Sequence, residues 1–144
     1  LFDLEVPPFL VSSVLNLVIA QRLVRKICQS CAYSYEYGPE LAKVVADQLK
    51  TLGLEEAGVK APKILYRGKG CSSCGDTGYR GRIGIFEVLS ISEQIAKLIL
   101  EHGSSGAIEQ AAVSEGMTTM KQDGYLKVLE GVTTMEEVLR VAQD

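Results

Sequence analysis

The chain carries four cysteines and places all of them in two pairs of equal spacing, Cys28-Gln29-Ser30-Cys31 and Cys71-Ser72-Ser73-Cys74. Two residues between thiols let a tight turn aim both sulfurs at one tetrahedral ion, with Zn–S distances of about 2.3 Å. Two such knuckles supply four ligands and close the coordination sphere. Cys28, Cys31, Cys71 and Cys74 are therefore candidate ligands of a structural zinc rather than a catalytic one. The pattern also constrains the fold, because everything between Cys31 and Cys71 must bring the chain back to its starting point. Gly70 and Gly75 flank the second pair where a knuckle needs positive φ and N–H groups turned toward sulfur. Two disulfides would suit an oxidising compartment, but the first residues do not resemble a signal peptide. A thioredoxin-like redox pair would need a βαβ context and leaves the second pair unexplained. Zinc is favoured, with iron–sulfur, redox-active and unliganded thiols as the alternatives.

At 144 residues, 47% of them apolar, the chain fits one ordinary domain or two small ones. A small metal-bearing part leans on its ion for stability. The net charge of −3 argues against general nucleic-acid binding, for which a basic domain is expected. The longest apolar stretch, Phe9 to Ala20, contains Ser12, Ser13 and Asn16 and is too short to span a bilayer, so a soluble, cytoplasmic chain is expected. There is no initiator Met, and the apolar start at Leu1, Phe2 and Leu4 reads as a piece cut from something longer.

Residues 1–8 read as a turn stiffened by Pro7 and Pro8. From Phe9 to Ile27, the spacing of Leu10, Val14, Leu17, Val18 and Val24 predicts a helix with Arg22, Arg25 and Lys26 at its C-terminal end. Tyr33, Tyr35 and Tyr37 alternate as in a short strand. A helix then starts at Gly38-Pro39, with Leu41, Val44, Val45, Gln48, Leu49 and Leu52 on one face and Gly53 as its cap. Strands are expected over Ile64 to Arg67 and Arg82 to Leu89. Ser90-Ile91-Ser92-Glu93 and Thr134-Met135-Glu136-Glu137 match capping boxes. Helices follow around Ala107 to Glu115 and Thr118 to Glu130, and the last helix turns Met135, Val138, Leu139 and Ala142 inward. The expected class is α+β, mostly α: a first helical segment over 1–27, a zinc-knuckle subdomain over 28–89 with short β-strands and a helical insertion at about 39–54, and a helical bundle over 90–144.

Catalytic signatures are missing from the sequence. No G-x-x-x-x-G-K-[ST] occurs, and Gly68-Lys69-Gly70 lacks the flanks of a phosphate cradle. His102, the lone histidine, precedes Gly103 at an expected helix end and reads as a solvated side chain. Glu55-Glu56 and Glu136-Glu137 read as solvated charge on different helix faces. Nothing assembles nucleophile, base and oxyanion donors, so this stretch by itself is not expected to be an enzyme. Arg67, Lys69, Arg80 and Arg82 form a basic rim around the second knuckle. They either offset the −2 charge of a four-thiolate zinc or form a docking surface for an acidic partner, a neighbouring subunit or anionic lipid headgroups.

Three motifs in order resemble one family. Ala20-Gln21-Arg22-Leu23-Val24-Arg25-Lys26, running into Cys28, is similar to a segment of the hexameric ATPases of type II secretion and type IV pilus assembly, the GspE/PilB family. The run Gly70-Cys71-Ser72-Ser73-Cys74-Gly75-Asp76-Thr77-Gly78-Tyr79-Arg80-Gly81-Arg82-Ile83-Gly84-Ile85-Phe86-Glu87 resembles their second cysteine pair and its continuation. Gly116-Met117-Thr118-Thr119-Met120-Lys121-Gln122-Asp123-Gly124, then Gly131-Val132-Thr133-Thr134 and Glu137-Val138, resembles their C-terminal helices.

The resemblance implies that a RecA-like core with the ATP and Mg2+ sites lies upstream in the parent protein. Residues 1–27 would end that core, and the remainder would be the C-terminal domain with its tetracysteine zinc subdomain. It also implies a hexameric ring, contacts with inner-membrane platform or secretion proteins, and a peripheral position at the inner membrane. Retraction motors of the group generally lack the cysteine pairs, so their presence favours assembly or secretion. Only the four cysteines carry over as site residues, since no nucleotide-binding motif is present. Two other classes stay open: an independent zinc-ribbon binding module, against which the acidic balance and absence of Trp count, and a thiol oxidoreductase.

Overall fold

A computed structural model describes residues 7–51, 53–56 and 58–142. In chain order the elements are α1 (Pro8–Val14), β1 (Leu17–Ile27), β2 (Ala32–Glu36), α2 (Pro39–Thr51), β3 (Ile64–Gly68), a 3-10 turn at Ser72–Cys74, β4 (Tyr79–Ser90), α3 (Glu93–Leu100), α4 (Ser105–Ser114), α5 (Met120–Leu129) and α6 (Met135–Val141). The class is α+β, as expected. β1 pairs with β4, and β2 pairs antiparallel with β3, placing Tyr33 opposite Arg67 and Tyr35 opposite Leu65. Residues 1–6 of the expected turn, Leu52 and the Val44 side chain lie outside the described residues.

The helix expected over 9–27 is corrected. Only Pro8–Val14 is helical, and Leu17–Ile27 is a strand. Ser12 and Ser13 donate their hydroxyls to the carbonyls of Phe9 and Leu10, an alternative that competes with helix propagation. Beyond Asn16 the run Leu17-Val18-Ile19-Ala20 is apolar without a period, so spacing cannot separate helix from strand. Pairing with β4 decides it.

The chain divides into two compact units, Leu1–Ala20 with Phe86–Thr119 and Gln21–Ile85 with Met120–Asp144. In the first unit, Val11, Ile95, Ile99, Ala111 and Ala112 form a buried core that draws together α1, α3 and α4. Ser92, not Ser90, caps α3 by accepting the Ile95 N–H at 3.2 Å, because Ser90 is still in β4. Ser104 caps α4 in the same way. His102 follows α3 with φ 54, at the helix end foreseen for it.

The second unit buries Val24, Val45, Leu49, Leu65, Ile85, Tyr125, Val128, Met135 and Val138 in one cluster. The insertion helix α2 and the last two helices thus share a core with the strands that flank the cysteine turns. Of the helices expected over 90–144, α3 and α4 fall in the first unit and α5 and α6 in the second, where Val128, Met135 and Val138 share a cluster with Val45 and Leu49 of α2 and Leu65 of β3. Leu139, expected inward, is exposed.

Candidate metal centre

The first knuckle is the turn leaving β1, and Cys28 at its root is wholly buried. The second lies between β3 and β4, where Cys71 leads into the 3-10 turn that ends at Cys74. Each pair is closed by a short backbone bond, Cys31 N–H to the Cys28 carbonyl at 3.2 Å and Cys74 N–H to the Cys71 carbonyl at 3.1 Å. Gly70 and Gly75 adopt φ 92 and 57, the positive values expected of them. The two knuckles are tied to each other by Lys69 N–H on the Cys31 carbonyl at 3.0 Å and by Cys28 N–H on the Gly78 carbonyl at 2.9 Å.

All four sulfurs converge, with every pair of Sγ atoms within 4.8 Å. Cys28 and Cys71 are 3.9 Å apart, Cys31 and Cys74 3.9 Å, and Cys71 and Cys74 3.7 Å. A regular tetrahedron with Zn–S of about 2.3 Å has edges of about 3.8 Å, so the donor set fits zinc in both size and number. These distances far exceed a sulfur–sulfur bond, and all four cysteines are free thiols. Burial disfavours the Cys74 thiolate, but the N–H groups of Cys71 and Gly78 and the thiols of Cys71 and Cys31 outweigh it and bring its pKa down to about 6. Burial and the neighbouring sulfurs push Cys31 up to about 12. A group of thiols this close holds protons unequally until a cation neutralises it.

The basic rim divides. Arg67 and Lys69 are engaged within the fold: Arg67 reaches Glu136 at 3.2 Å and stacks over Tyr35, and Lys69 Nζ lies 5.1 Å from the Tyr33 ring centre. Arg80 and Arg82 are exposed along β4. Arg82 joins Leu23, Arg25, Thr77, Tyr79 and Gly81 around an open depression of about 610 Å³.

Glu137 escaped sequence reasoning. Its side chain is only 2% exposed, whereas Glu136 is solvated as expected. It accepts the Arg25 N–H at 3.0 Å, the Arg25 guanidinium at 2.6 Å and two N–H groups of Arg140 at 3.1 and 2.9 Å. Burial alone would raise its pKa, but the bonds from Arg25 and Arg140 dominate and hold it at about 2. The expected Thr134–Glu137 capping box is therefore not made. Thr134 makes no side-chain cap and pairs with the Tyr79 hydroxyl at 2.9 Å instead.

Among the described residues no helix is long and apolar enough to cross a membrane. The fold and site together define an α+β region that carries a four-cysteine cluster in one of its two units. The family model for type II/IV secretion system proteins matches residues 1–140, and the chain belongs to that family. It is 40% identical to the type IV pilus assembly ATPase PilB of Thermus thermophilus, over 95% of this chain and 14% of that protein. It is 40% identical to the type II secretion system protein E of Pseudomonas aeruginosa and 38% identical to the type II secretion system ATPase E of Vibrio cholerae. Those matches cover 100% and 99% of this chain and 26% of each relative. The chain thus spans about a quarter or less of the length of these relatives.

Proposed function

We propose that this chain is the zinc-stabilised C-terminal part of a hexameric ATPase that powers type II secretion or type IV pilus assembly. The observation that carries the reading is the convergence of four sulfurs at zinc-compatible distances in a chain of this family. Zinc bound there is structural: four thiolates leave no open position for a substrate. ATP and Mg2+ belong to the remainder of the parent protein, since the sequence here offers no phosphate-cradling loop. The cytoplasmic placement, and peripheral association with the inner membrane through platform or secretion proteins, follow from the same reading. Exposed apolar residues at Leu17, Val18, Ile19, Phe86 and Val88 support further protein packing on this part. Purified chain is expected to hold one zinc and to show no micromolar ATP binding. Specific ATP turnover that survives repurification would overturn the assignment.

The chain's contribution to the ring is contact rather than catalysis. The side chains of Arg80 and Arg82 have no hydrogen-bond or ion-pair partner among the described residues, which favours a docking role over charge balance for this half of the rim. An Arg80→Glu, Arg82→Glu double variant in the full-length protein is expected to keep its zinc and lose subunit or partner association. Loss of zinc with association intact would assign the cations to the thiolates instead. Anionic lipid headgroups would be revealed by loss of vesicle binding in the same variant.

A further inference from the structure

We propose that Glu137, with the 132–134 turn before it, is a positioning device for the metal centre, clamping the end of β1 so that Cys28 is held in place. The proposal rests on the reading of the four-cysteine cluster as a zinc site. In a strand, the N–H and C=O of alternate residues point to the same edge. On β1 the edge presented by residues 25 and 27 is occupied by the C-terminal segment. Arg25 N–H donates to Glu137 Oε2 at 3.0 Å, the Thr133 hydroxyl donates to the Arg25 carbonyl at 2.8 Å, and Ile27 N–H donates to the Val132 carbonyl at 2.9 Å. Residues 132, 133 and 137 thus stand in for a neighbouring strand, with a carboxylate in place of one of its carbonyls. β4 is the strand paired with β1 in the sheet.

The next residue after this clamped stretch is Cys28, the one ligand that is fully buried. Its own N–H is fixed from the side of the second knuckle by the Gly78 carbonyl. Cys28 is therefore held between two backbone anchors, one supplied by residues more than a hundred positions away in sequence. Glu137 is locked in turn. Arg140 grips both its oxygens, and the Arg25 side chain that it binds lies 4.3 Å over the Tyr79 ring. Tyr79 is hydrogen-bonded to Thr134, which closes the circuit back to the turn. Groups beyond the ligands that fix ligand orientation change metal affinity by about 10- to 100-fold when lost.

The test is zinc release from the zinc-loaded chain to a chromophoric chelator, at a temperature well below unfolding. Glu137→Gln is expected to release zinc about tenfold faster than wild type. Val138→Ala, which loosens the same core without a bond to β1, is expected to stay close to wild type. A Glu137→Gln rate within twofold of wild type, or equal acceleration by Val138→Ala, overturns the proposal. If Glu137→Gln does not fold, Thr133→Val removes a single clamp bond and is read by the same criteria. Amide exchange at Ile27 separates the two readings should wild type hold no zinc. The metal assignment then fails, while faster Ile27 exchange in Glu137→Gln sustains the clamp and unchanged exchange overturns it.

Discussion

Gly68 and Gly78 pass each other backbone to backbone: a Cβ on Gly68 would overlap the Gly78 carbonyl, and one on Gly78 would lie 2.7 Å from the Gly68 oxygen. The Gly78 carbonyl is also the acceptor for Cys28 N–H. The approach of β3 to the start of β4 thus sets where the first knuckle meets the second.

Substitution at this crossing is expected to act on the metal. Gly68→Ala forces two backbones apart and is predicted to cost about 3 kcal/mol or more and to lower zinc content. Gly75→Ala provides the contrast. Gly75 has φ 57 with open space around its Cβ position, so the change costs only the left-handed strain of about 1–2 kcal/mol and leaves zinc in place. Thermal unfolding and elemental analysis of both variants check this; equal zinc loss in the two would contradict it.

Acid stability carries the signature of Glu137. Its folded pKa of about 2 lies below the ordinary 4.5. A depressed carboxylate contributes stability that is fully present above the unfolded pKa and lost as pH falls through the folded one. The contribution is on the order of 3 kcal/mol. The difference in Tm between wild type and Glu137→Gln is therefore expected to be constant above about pH 5 and to shrink as pH falls toward 2. A difference that does not change across that window would show that the carboxylate is not ionised against Arg25 and Arg140.

Zinc removal is expected to divide the chain along its two cores. The four cysteines and the cluster built from Val24 to Val138 belong to one unit, so chelation is predicted to loosen α5 and α6 together with β2 and β3. The helices α1, α3 and α4 have a separate core and retain their protection. Hydrogen exchange before and after chelation reads this directly. Uniform loss across all helices would contradict the division.

What sequence could reveal followed the range of the interactions. The convergence of the four cysteines was legible because two residues of spacing already impose the knuckle, and the glycines with φ 92 and 57 sit beside them. The strands β2 and β3 and the helix α2 announced themselves through local alternation and a proline start. β1 did not, since Leu17 to Ala20 suits either state and the deciding partner, β4, is remote. Glu137 was hidden for the same reason. Its pattern with Thr134 satisfies a local cap, but Arg25, 112 positions away, offers a stronger charge-assisted partner. The assignment of α5 and α6 to the cysteine unit likewise depends on side chains of Val128, Met135 and Val138 meeting β3 and α2.

The coordination of the metal tests the account most directly. Zinc-edge X-ray absorption on protein never exposed to chelator is predicted to show four sulfur ligands at about 2.3 Å, with one zinc per chain. Nitrogen or oxygen in the ligand shell, or well under one zinc per chain, would contradict a closed site built from Cys28, Cys31, Cys71 and Cys74.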